Sequence, residues 1–159
     1  MRAVSKETLW VVFCTMAALL RVAAFSTAFP LFVAGDEAHH FDAIHKYSRG
    51  LVTGGIQPFT PEVNRVIALH ASPELRWGPG FFAGGEIPAP LWRVDEASRA
   101  AKVEERARAR ERFRNVELTH PPLFHLLMAA WSRLGEGLGF RDGRLVYWLR
   151  FLNALLWAA

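Results

Sequence analysis

The 159-residue chain has a single cysteine, Cys14, so no disulfide can close within it. That cysteine lies inside an apolar run, and its usage leaves the redox compartment open. The interleaved aromatic and basic pattern of a nucleic-acid interface is also missing, so no nucleic-acid partner is expected. Nor are there the repeated full-length apolar runs of a multi-span protein. With 52% hydrophobic residues and a mean hydropathy of +0.11, the composition fits one or two spans flanking a large polar insert. The net charge of +4 comes largely from arginines after position 92, a balance that suits anionic headgroups or a phosphate as well as a solvated surface.

What is present begins with the apolar run from Leu9 to Val33. Its 25 residues at about 1.5 Å each reach about 37 Å, more than the roughly 30 Å hydrocarbon core. Twelve are Leu, Phe or Val, each contributing roughly −0.3 to −0.6 kcal/mol, against roughly +3 kcal/mol for Arg21. Insertion wins, and residues 9–33 are predicted to form a first transmembrane helix, with Arg21 paired to spans further along a longer protein. Arg2 and Lys6 in residues 1–8 favour a cytoplasmic N-terminus, which directs the segment after Val33 outward. The same residues also fit a cleaved signal peptide with a small-residue site near Ser26, Thr27 and Ala28. Arg21 and the renewed apolar stretch Phe29 to Val33 argue for an uncleaved span.

A second apolar stretch, residues 146–159, has Arg150 as its only charge, and its fourteen residues reach about 21 Å as a helix, short of a span. It reads as the truncated start of a second transmembrane helix, and the chain as the N-terminal piece of a longer polytopic protein. The predicted class is therefore a mainly α integral membrane protein, with residues 34–145 as a large outer loop.

Within that loop, Asp36 to Ser48 is predicted as a helix, with Asp36 as N-cap, Glu37 in the positive first turn and Gly50 at its end. Asp36 and His40 then share a face, as do Glu37 and Phe41, while His39 and His40 point in different directions. Leu51 to Trp92, rich in Gly and Pro with Phe59, Trp77, Phe81, Phe82 and Trp92, is expected to be irregular. Asp95 to Arg114 is rich in Ala, Glu and Arg and strongly helix-forming. Its arginines at 106, 108, 110, 112 and 114 spread around the helix, which fits a solvated or headgroup-facing helix better than a dedicated phosphate site. A helix near 121–134 can open at Pro121 and Pro122, since proline costs little at a helix start. It is apolar almost all round apart from His125, Ser132 and Arg133, and as a buried or interfacial helix it is too short to span.

The chemistry gathers at the outer end of the first apolar run. Gly35, Asp36, Glu37, Ala38, His39, His40 and Phe41 place two carboxylates and two imidazoles beside low-dielectric material, a setting for acid/base or cation chemistry. Asp36 is equally placed to cap its helix, Glu37 to favour the helix dipole, and His120 to pack or hydrogen-bond locally before its two prolines.

In its order of features, the chain resembles the N-terminal part of the GT-C membrane glycosyltransferases, the superfamily of protein O-mannosyltransferases and bacterial lipid-carrier-dependent sugar transferases. Asp36, Glu37, His39, His40 and Phe41 correspond to the acidic motif of the first outer loop. His120, Pro121, Pro122 and Leu123 correspond to the proline motif later in that loop, and Arg150 and Asn153 to polar residues opening the second span. The Gly- and Trp-containing loop from Leu51 to Trp92 has no counterpart, and the family's later spans lie outside this sequence.

The resemblance implies transfer of a sugar from a polyprenyl-phosphate carrier to an acceptor hydroxyl. Asp36 would act as general base beside Glu37, with His39, His40, His120 and Arg150 contacting substrate. Asp36 and Glu37 would hold a divalent cation if one is used. It further implies a partial GT-C fold in the plasma (inner) membrane with the main loop outward, working with membrane lipid, the lipid-linked donor and further C-terminal transmembrane helices. Two other classes stay open: a non-enzymatic lipid-binding assembly factor using Arg99 to Arg114 and Leu123 to Leu134, and a metal-dependent membrane hydrolase using Asp36, Glu37, His39, His40 and His120.

Overall fold

The computed structural model describes residues 5–33, 35–51, 54–72 and 78–158. Arg2 and Trp77 lie outside these residues, and so does the side chain of Asn153. Six α-helices are found among them: α1 (Lys6–Ala28), α2 (Glu37–Arg49), α3 (Pro61–His70), α4 (Glu96–Ala109), α5 (Leu123–Gly137) and α6 (Asp142–Ala158). Two short strands, β1 (Gln57–Pro58) and β2 (Arg114–Asn115), pair antiparallel with Gln57 opposite Asn115. The chain is thus mainly helical, as its composition suggests.

One helix, α1, is long and apolar enough to cross a membrane, and none of its residues is buried against the rest of the protein. Its 23 residues cover about 34 Å. It stops at Ala28, five residues short of the expected end. Phe29 precedes Pro30, whose ring disfavours helical backbone at the residue before it, and Phe29 turns extended (φ −74°, ψ 128°). The apolar residues beyond do not continue the span. Leu31 and Phe32 fold inward and become buried.

The core forms where α2, α3, α5 and α6 meet, with Phe32, Phe41, Ile44, Val63, Ile67, Met128, Val146 and Leu149 at its centre. α2 lies along α5, α3 along α4, and α6 touches both α5 and α1. Of residues 146–159, expected as the start of a membrane helix, those up to Ala158 belong to a helix that opens earlier, at Asp142. Its inward face is core, through Leu145, Val146, Leu149 and Leu152, while Leu155 and Leu156 are exposed.

Further expectations need correcting. The stretch 51–92 is irregular only in part, because α3 forms inside it with Thr60 at the N-cap and Pro61 at the first helical position, where a missing N–H costs nothing. The expected helix 95–114 ends at Ala109, and the chain then turns to lay β2 beside β1. The helix expected at 121–134 runs from Leu123 to Gly137, where Gly135 lets α6 approach closely: a Cβ there would collide with the Trp148 ring. Across that contact Trp131 and Trp148 stack at 4.2 Å, and each indole N–H donates to the other's backbone carbonyl, at 2.9 and 2.8 Å.

Candidate functional site

The first turn of α2 brings Asp36, Glu37 and His40 to the end of α1, and α6 delivers Arg150 to the same place. Arg150 Nε donates to Glu37 Oε1 at 2.6 Å and its Nη2 to Glu37 Oε2 at 2.9 Å, a bidentate pair with both side chains mostly shielded. The same guanidinium donates to the carbonyls of Ser26 (2.9 Å), Phe29 (2.6 Å) and Pro30 (3.0 Å). These bonds occupy all five of its N–H groups, and they satisfy carbonyls that the end of α1 leaves without helical partners. Glu37 Oε2 also accepts the Phe32 N–H at 2.6 Å. That bond holds Phe32 in left-handed backbone (φ 59°), a conformation rare for a bulky side chain. Both residues are thus occupied with joining α1, α2 and α6, and Arg150 has no N–H left to offer a phosphate.

Asp36 is placed differently. It takes the expected N-cap position of α2, with near-helical backbone (φ −97°, ψ −20°), but its side chain makes no capping bond. Its carboxylate is 70% exposed and faces His40 Nε2 at 3.8 Å. The other nitrogen of His40, Nδ1, points inward, 3.2 Å from His125 Nε2 and 3.4 Å from Glu117 Oε2. His120 Nδ1 joins the same Glu117 oxygen at 2.9 Å. His40, Glu117 and His125 can each turn one ligand atom to a common point, these atoms lying within 4.8 Å of one another. The expected cation pair, Asp36 with Glu37, is not what the structure assembles: both Glu37 oxygens are taken up by Arg150 and the Phe32 amide.

His125 is buried, its ring stacked on Tyr47 at 5.8 Å, and its Nδ1 has no hydrogen-bond partner. Burial holds its pKa below the ordinary 6.5, and the neighbouring His40 pushes the same way while Glu117 opposes. A lone histidine in an otherwise apolar helix is the signal that could have placed it at the site. Glu117 had no such signal, because it sits in a 3₁₀ turn, Glu117–Thr119, whose position depends on a distant contact.

That contact is a buried polar cluster centred on Asp42. Its Oδ2 accepts from Lys46 Nζ at 2.6 Å and Asn115 Nδ2 at 2.7 Å, and its Oδ1 from the Thr60 N–H at 2.8 Å. Lys46 also donates to the Pro58 carbonyl, and Asn115 to the His39 carbonyl. Asn115 Oδ1 then accepts the Glu117 N–H at 2.9 Å. A charge pair this deep is tolerable only because its remaining hydrogen-bonding capacity is taken up. Its consequence is positional: it fixes Glu117 relative to α2. His39 takes no part in the imidazole cluster and packs edge-on against Phe59 at 5.0 Å.

Two cavities flank the start of α2. One, about 200 Å³, is lined by Asp36, Glu37, His40 and Arg150 together with apolar side chains including Phe124, Met128 and Leu149. The other, about 460 Å³, is lined by Gly35, Ala38 and His39, four phenylalanines, Arg110 and Arg112. Comparison of the chain with protein-family models, curated proteins and solved structures finds no match. The functional reading therefore falls to the chemistry of these residues.

Proposed function

We propose that this chain is the N-terminal part of a GT-C-type membrane glycosyltransferase, anchored by α1 in the plasma membrane with residues after Val33 facing outward, and that Asp36 is its general base. The observation that carries this reading is the contrast between two adjacent carboxylates. Glu37 is immobilised by Arg150, whereas Asp36, one residue away on the same rigid turn, keeps an exposed carboxylate with no capping duty.

A base needs that combination of fixed position and free lone pairs. In the transfer step the acceptor hydroxyl gives its proton to Asp36 as its oxygen bonds to the anomeric carbon, while the bond from that carbon to the carrier phosphate breaks. General-base assistance of this kind contributes roughly 10²- to 10⁴-fold. The leaving phosphate needs positive partners. Arg110, Arg112 and His39 lining the larger cavity suit that role, and its phenylalanines offer apolar faces to a sugar ring or prenyl chain.

The exposed stripe Leu123, Leu126, Leu127, Leu134 and Leu138 along α5 supports a lipid-facing position for that helix. It is also the observation that favours the second reading, a lipid-binding membrane factor without catalysis.

The first reading has a direct test. In membranes containing the complete gene product that includes residues 1–159, Asp36→Asn should abolish sugar transfer from a polyprenyl-phosphate donor with expression unchanged. Retained turnover would remove Asp36 as base.

A further inference from the structure

The grouping of His40, Glu117 and His125 has a geometry of its own. A tetrahedral zinc site with metal–ligand bonds of about 2.0–2.1 Å separates its ligand atoms by about 3.3 Å along each edge. His40 Nδ1 stands 3.2 Å from His125 Nε2 and 3.4 Å from Glu117 Oε2, so two edges of such a tetrahedron are already set. We propose that these three side chains bind a divalent transition metal of the zinc class, leaving a fourth position open.

Three further features fit a metal better than a bare hydrogen-bonded cluster. The ligands come from separate segments, α2, the 3₁₀ turn and α5, and each is fixed from behind: Glu117 through Asn115, and His125 by burial against Tyr47. The outer nitrogen of His40 faces the Asp36 carboxylate at 3.8 Å, longer than a hydrogen bond but on the side from which a carboxylate sets the tautomer of a ligating imidazole. His120 Nδ1 is bonded to the Glu117 oxygen that would ligate, as ligating carboxylates commonly are. Two histidines and one carboxylate with an open position form the donor set of a zinc ion that activates a bound water or polarises an oxygen. His40 is half-exposed and also lines the cavity that Asp36 and Phe124 border.

The inference does not depend on the transferase reading. A protein that binds no tight metal equivalent while Asp36→Asn abolishes its sugar transfer would sink this site alone, and one that binds metal while Asp36→Asn leaves transfer unchanged would sink the other alone.

The test uses the full chain in detergent micelles, stripped by chelator dialysis and titrated with Zn²⁺ against a chromophoric competitor, then with Co²⁺ to read coordination from its visible spectrum. One equivalent should bind, with intense tetrahedral Co²⁺ bands. Glu117→Gln and His40→Gln, both near-isosteric, should remove the tight equivalent. Asp36→Asn, at an exposed position that does not threaten folding, should keep the stoichiometry but weaken affinity about 10- to 100-fold. Absence of a tight equivalent in the unsubstituted chain overturns the site. So does an equivalent that all three substitutions leave unchanged, or octahedral Co²⁺ spectra.

Discussion

His70 shows how one side chain can tie stability to pH in this molecule. It closes α3, and its Nε2 accepts the Gly143 N–H at 3.2 Å, with the ring so near Gly143 that a Cβ there would crowd it. Accepting requires a neutral ring, and burial holds its pKa below the ordinary 6.5, with Asp142 opposing only in part. The folded pKa is the lower one, so below the unfolded value the unfolded chain binds more protons than the folded one. Stability is therefore complete above about pH 6.5 and is lost as pH falls through the folded pKa. His45, also shifted down by burial and by Arg49, adds a slope of the same sign. Unfolding of the micelle-bound chain, followed by tryptophan fluorescence from about pH 7 to about pH 5, should show this decline. His70→Gln, which keeps an acceptor without a titrating ring, should flatten it while leaving the share due to His45 and His125. An unchanged slope would show that His70 is not a neutral acceptor.

At the scale of elements, the decisive joint is the Glu37–Arg150 pair, which fastens the end of α1, the start of α2 and the middle of α6. Glu37→Gln keeps an acceptor for the Phe32 amide but removes the charge facing a shielded guanidinium. It should cost about 2 kcal/mol in denaturant unfolding, between an exposed surface pair and a fully buried pair broken from one side. A loss under about 1 kcal/mol would place the joint in the class of exposed surface pairs.

The elements also show what could be read from the chain itself. α2 was legible nearly to the residue, since Glu37 in the first turn and Gly50 in left-handed backbone (φ 68°) are local signals. The Thr60-Pro61 start of α3 was equally local but hidden among glycines and prolines that suggested loop. The early end of α4 was not local at all, because β2 is drawn away to bring Asn115 to Asp42, across 73 residues of chain. The candidate site divides in the same way. Asp36, Glu37 and His40 stand together in sequence, whereas Glu117 and His125 join them only through tertiary contacts. Arg150 was recognisable as a charge in apolar surroundings, but its partners, one carbonyl in the last turn of the first helix, two just beyond it and one carboxylate, were not.

For the whole molecule, the main division is between an apolar helix that buries nothing and a packed body that buries Phe32, Ile67 and Val146 almost completely. Cys14 sits on the exposed surface of that helix and serves as a natural probe of where it resides. If α1 crosses a bilayer, a membrane-impermeant maleimide should leave Cys14 unlabelled in intact vesicles, and detergent should make it reactive. Labelling before detergent would place α1 in water, and a mature mass lacking Cys14 would show that the segment is removed as a signal peptide.

The joint at Arg150 also orders events during synthesis. The carbonyls of Ser26, Phe29 and Pro30 and the carboxylate of Glu37 leave the ribosome more than a hundred residues before the guanidinium that binds them. Until then the C-terminal end of the first helix has no guanidinium to hold it to α2. A helix more than a hundred residues downstream closes the first, so a nascent chain stalled before Arg150 would carry every carboxylate of the site and still lack its final geometry.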